Sequence, residues 1–146
     1  MAIRLSQSRG RPPHVAVPLG AGASIMLRPA SYTEVQEAAA RITTRLAGIV
    51  VGSAAAAALA PLLGPEFDIA ELDEARLAAA SDKLVLIDLI MTCQAGWSGI
   101  IGDDDKPIEK PDEALIGLLV RDVTTARRLR QYIEAPYNDE VAEGNG

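Results

Sequence analysis

The sequence predicts an α+β protein, mainly α-helical, in which an N-terminal β-hairpin is followed by a helical bundle with a small loop or hairpin insertion near 97–109. Three observations predict it. HVAVPLGAGASIMLRP (14–29) holds two short apolar runs on either side of Gly20-Ala21-Gly22. SYTE (31–34) opens a stretch whose apolar residues recur at helical spacing. The apolar block KLVLIDLIMTCQA (83–95) is then interrupted by GWSGIIGDDDKPIEKPDEALIGLL (96–119), dense in glycine, aspartate and proline.

The glycines of the first stretch allow the positive φ of a tight turn, and Ile25 and Leu27 alternate with Met26 and Arg28 as in a half-buried strand. Pro18 confines its run to a sheet edge or strand end. Ser31 and Glu34 form a capping box, in which each side chain satisfies the other residue's orphan amide. Tyr32, Val35, Ala39, Ile42, Leu46 and Ile49 predict a helix running on into Ala54–Ala58 and stopped by Pro61, Gly64 and Pro65. Gly48 and Gly52 lie four apart on that helix, where another helix can approach closely.

Residues 69–80 are helical by propensity, and Ser81-Asp82 offer a break or a new cap. The block 83–95 is apolar nearly all round, and its length favours helix over strand. Pro111-Asp112-Glu113 starts another helix, with two carboxylates at the positive end of its dipole. Leu115, Leu118 and Leu119, then Val123, Leu129, Tyr132 and Ile133, mark two helical pieces hinged near 122–124, with Pro136 closing the last. One globular domain over 14–137 is expected, between a flexible arm (1–13) and a disordered tail (138–146).

With 146 residues, one domain with a real core is the natural size. Alanine is abundant and aromatic residues make up 3%, which predicts a thin core and a protein that gains by association. The net charge of −6 argues against duplex nucleic acid as partner, since such binders neutralise phosphates with Lys and Arg. Arg121, Arg127, Arg128 and Arg130 read as a solvated helix face. The single cysteine, Cys93, forms no internal disulfide, and the N-terminus has no apolar leader, so a reducing, cytosolic setting is expected. The uncharged segment 46–65 is rich in alanine and glycine and interrupted by Pro61, and reads as a buried or self-associating helix rather than a membrane span.

Candidate chemistry is sparse. Asp103-Asp104-Asp105 has the oxygen ligands of a calcium loop, but Pro107 and Ile108 stand where ligands or the bend should be. Gly20-Ala21-Gly22 lacks a phosphate-loop lysine or the full dinucleotide glycine pattern. His14 has no nearby acid to orient it, and Cys93 follows an apolar run as a core residue does. Asp88, inside LVLIDLIM, must be exposed, paired or protonated. No catalytic set, metal site or cofactor is predicted. The remaining feature is Trp97 with its aliphatic neighbours, which reads either as core or as the anchor of an interface.

Trp97, Gly99, Ile100, Asp105, Lys106, Pro107, Ile108, Pro111, Asp112, Glu113, Leu115, Leu118 and Tyr132, together with RPASYTEVQEAAA (28–40), resemble the tail assembly chaperones of long-tailed bacteriophages and prophages over most of 15–137. The resemblance implies a small non-enzymatic protein of the host cytoplasm. Such a protein coats the tape-measure protein, keeps that helical chain soluble while tube subunits polymerise, and is absent from the finished particle. Trp97, Ile100, Ile101, Ile108, Leu115, Leu118 and Leu119 are then the expected partner contacts, with self-association and no membrane or nucleic acid. Two other readings remain open: a tail-completion or connector component retained in the virion, and a metal-dependent enzyme using Asp103–Asp105 and Asp88.

Overall fold

Gly20, Ala21 and Gly22 all take positive φ (97°, 51° and 80°), turning the chain back on itself between β1 (Val15–Gly20) and β2 (Ala23–Leu27) in the computed structural model. The structure describes residues 12–135. The two strands pair antiparallel from Val15↔Leu27 to Gly20↔Ala23, with one extra residue on β1 near Pro18, as a β-bulge requires. Ala23, Ile25 and Leu27 are buried, and Ser24 and Met26 between them are half-buried, following the period of a strand.

Ser31 caps α1 (Tyr32–Ala47) in the expected capping box. The helix does not continue into the alanine block. It ends at Gly48, and residues 48–53 form a turn in which Gly52 takes φ 81°. α2 (Ala54–Leu63) starts afresh with Ser53 as its N-cap. Two glycines around a β-branched triplet, Ile49-Val50-Val51, weaken a helix at every position, and a serine stands ready to cap a new one. Gly48 and Gly52 therefore flank a break and offer no helix-packing face. Pro61 lies inside α2, with no amide to donate, and the stop comes at Gly64 (φ 90°).

After a short 3₁₀ turn (Ile69–Glu71), α3 runs from Glu74 to Cys93 without a break at Ser81-Asp82. It packs against α1, α2 and, further along the chain, α4 (Glu113–Leu119) and α5 (Val123–Ile133). At Gln94 the backbone becomes extended at once, and β3 (Gln94–Ser98) joins the open side of β2. The sheet order is β1-β2-β3, antiparallel throughout. Between Leu27↔Gln94 and Ile25↔Trp97 the third strand carries an extra residue, accommodated by Gly96 at φ 105°.

Asp112 caps α4, which starts at Glu113, so Pro111 stands before the cap and not in the first turn, and Asp122 caps α5 at the expected hinge. One cluster of buried residues joins all these elements, and its largest fully enclosed side chains are Ile25, Leu27, Leu59, Leu63, Leu84, Ile87, Ile90, Ile116, Leu129 and Ile133. Each such side chain contributes roughly 1.5–3 kcal/mol by leaving water. The alanines do not thin this core, because most lie outside it: Ala54, Ala55, Ala57, Ala58 and Ala60 of α2, and Ala75, Ala78 and Ala79 of α3, are exposed. The expected arm and tail, and the Pro136 stop, lie outside the described residues except for 12 and 13. None of the helices of the described residues is long and apolar enough to cross a membrane.

Candidate interaction surface

The segment after β3 folds into a miniature hairpin. Ile108 N–H donates to Ile100 O at 2.9 Å, Ile101 pairs with Pro107, and Gly102 N–H donates to Lys106 O at 2.9 Å. Asp103-Asp104-Asp105 make the turn itself. The Asp104 carboxylate accepts from Lys106 N–H at 3.1 Å, and Asp105 sits at φ 59°, a conformation that Asp tolerates better than most residues. Among the described residues no group of three or more His, Cys, Asp or Glu is gathered as a metal site needs.

Two contacts fasten this hairpin to the sheet. The Trp97 indole Nε1–H donates to Ile108 O at 2.8 Å, and the half-buried ring packs against the core cluster. Gly99, at φ 78°, lies against the β1–β2 turn so closely that a Cβ there would stand 2.9 Å from Ala23 Cα. Trp97, Ile100 and Ile108 are thus brought together, with Ile101 beside them and 61% exposed. Trp97 serves the base of the hairpin, and Ile101 is the aliphatic side chain it holds towards solvent.

Four residues separate Ile108 from α4. Gly117 of this helix packs on α2, where a Cβ would meet Leu62 Cα and O at 3.2 Å. That approach fixes which side of α4 faces inward. Ile116 is buried, Leu115 and Leu119 are half-buried, and Leu118 is 57% exposed. Of the seven expected contact residues, Ile101 and Leu118 are the two most fully presented to solvent.

The other singled-out residues are all placed. Cys93 is buried, and His14 is exposed. Asp88 is paired: Arg41 Nε–H donates to it at 3.0 Å and the guanidinium Nη2 makes a second bond, which raises the Arg41 pKa above its ordinary value. Three of the four arginines expected on a solvated face make specific contacts, Arg121 with Glu66 at 3.7 Å among them. Arg130 grips Asp82 with two bonds of 2.9 Å, and Arg128 Nη1–H donates to Pro18 O at 3.0 Å.

Residue reading missed the environment of Arg28. Its guanidinium is buried and makes a two-pronged bond to Glu34 at 2.8 and 2.7 Å. The same carboxylate accepts from Ser31 N–H at 3.0 Å. Hydrogen bonding from Arg28, opposed by burial and helped by Ser31 and the Arg28 charge, holds the Glu34 pKa down at about 2. Residue reading also missed Val50 and Val51, 67% and 63% exposed on the loop between α1 and α2. The β-branched pair between two glycines was the available signal. No family model matches the chain, nor does any curated protein or solved structure.

Proposed function

We propose that this protein is a non-catalytic, polypeptide-binding protein: a tail assembly chaperone of a long-tailed phage or prophage that holds the tape-measure protein in the host cytoplasm. The observation that supports this reading best is the presentation of Ile101 and Leu118, large aliphatic side chains left in solvent by elements that are otherwise firmly anchored. A rigid hairpin and a short packed helix hold them at little entropic cost, as a helix-gripping surface requires. The acidic balance of −6 keeps such a protein soluble while its apolar contacts associate reversibly, with a partner helix or with itself. The class of the reading comes from the sequence resemblance, and the surface supplies a physical means.

Co-expression with the long helical protein of the same virus tests it. The expected result is that the partner moves from the insoluble to the soluble fraction and co-purifies with this chain, while purified virions lack the chain. A partner that stays insoluble, or a chain retained in finished particles, would replace this reading with that of a structural tail component.

A further inference from the structure

A cleft of about 280 Å³ opens between α3 and α5, walled by Lys83 and Leu86 on one side and by Val120, Val123, Ala126 and Arg127 on the other. Its floor is apolar: Leu86 and Val120 are buried, Ala126 is half-buried, and Val123 is 60% exposed at the mouth. Its charges do not balance. Asp82 and Arg130, also at the rim, are spent on each other, and Glu66 nearby is 3.7 Å from Arg121. Lys83 and Arg127 have no ion-pair partner among the described residues, which leaves two positive charges beside an aliphatic floor in a chain whose net charge is −6.

We propose that the α3–α5 cleft binds an acidic amphipathic polypeptide segment, with a carboxylate between Lys83 and Arg127 and an aliphatic side chain against Leu86, Val120 and Val123. The complementarity is of both kinds. Cations on an otherwise acidic surface orient a carboxylate and repel basic partners, and the apolar floor takes the neighbouring side chain. Burial holds the Lys83 pKa below the usual lysine value; Glu66 opposes this and the Arg121 charge adds to it. An arriving carboxylate would relieve that cost by giving the ammonium a close counter-charge. This site shares no residue with the hairpin and α4 surface, and it does not depend on the tail-assembly reading.

The test is fluorescence anisotropy on the full chain with a labelled helical peptide of leucine and glutamate, beside versions in which glutamine or lysine replaces glutamate. The glutamate peptide should bind, with affinity falling as salt is raised. The glutamine peptide should bind at least about 10-fold more weakly and the lysine peptide not at all. A Lys83→Gln/Arg127→Gln variant with an unchanged circular dichroism melt should lose the same factor, and Arg76→Gln, on the exposed first turn of α3, should lose nothing. The proposal is overturned if the glutamate peptide fails to bind, if the glutamine peptide binds equally well, or if the folded double variant binds as the parent does. Displacement of the peptide by millimolar acetate or phosphate would replace it with a small-anion site. Dimerisation abolished by the double variant, with no peptide bound, would replace it with a contact between two copies of the chain.

Discussion

The indole N–H of Trp97 donates to the carbonyl of Ile108, eleven residues on, and so closes the base of the hairpin that presents Ile101. The tryptophan is at once part of the core's edge and the clamp of the surface. Replacing it therefore separates two contributions. Trp97→Phe keeps most of the ring contact and leaves the Ile108 carbonyl without its donor, and should cost about 1 kcal/mol. Trp97→Ala loses the packing as well and should cost about 2–3 kcal/mol, less than for a fully enclosed ring. Urea denaturation of the two variants checks the order.

Exposed aliphatics contribute little to folding and are the better probes of binding. Ile101→Ser and Leu118→Ser together should leave the thermal midpoint within a few degrees of the parent. Capture of a tape-measure fragment should fall by about 10-fold or more, as when interface anchors are truncated. Undiminished capture by the folded double variant would move the contact elsewhere, with Val50 and Val51 next to be tested.

Arg28 and Glu34 make stability depend on acid. The folded-state pKa of Glu34 lies at about 2, below its ordinary value of 4.5, so the pair's contribution is complete above pH 4.5 and drains away as the pH falls towards 2. The difference amounts to at most about 3 kcal/mol. Glu34→Gln can still close the capping box but has no charge for Arg28. It should cost about 2 kcal/mol near neutral pH and flatten the stability profile below pH 4.5. Denaturant midpoints measured across that range check it.

Gly99 should tolerate no side chain. At φ 78°, with a Cβ 2.9 Å from backbone Cα of Ala23, Gly99→Ala meets both an unfavourable conformation and a clash with the adjoining turn. A loss of about 2 kcal/mol or more is expected from chemical denaturation. Gly102→Ala is the informative control, since its nearest neighbours are the side chains of Asp104 and Ile108, which can move aside.

Much of this architecture was legible from local chemistry. SYTE announced its cap, Gly20-Ala21-Gly22 its turn, and Ile100 to Ile108 its hairpin, because each depends on neighbours in sequence. The α1–α2 break was harder to see, since an uncharged run full of alanine imitates one helix and the interruption rests on only a few residues between Gly48 and Gly52. β3 was harder still, since Gln94 and Ala95 read as the end of the apolar helix and Gly96–Ser98 as loop or hairpin; its partner, β2, lies about seventy residues away. Arg28 was read as the polar side of an alternating strand. Its burial depends on Glu34 having a second role besides capping, which spacing does not reveal. At the surface, the list of aliphatic residues was legible, but which of them face water was decided by the approach of Gly117 to α2 for the leucines of α4, and by the hairpin's pairing for Ile100, Ile101 and Ile108.

The amide of Ala30, just past the first hairpin, donates to the carbonyl of Ile133 at 2.9 Å, and Arg128 reaches Pro18 from the same last helix. The opening and closing portions of the fold are thus stitched to each other. A chain emerging from a ribosome must therefore release its α5 segment before the first hairpin can make either contact.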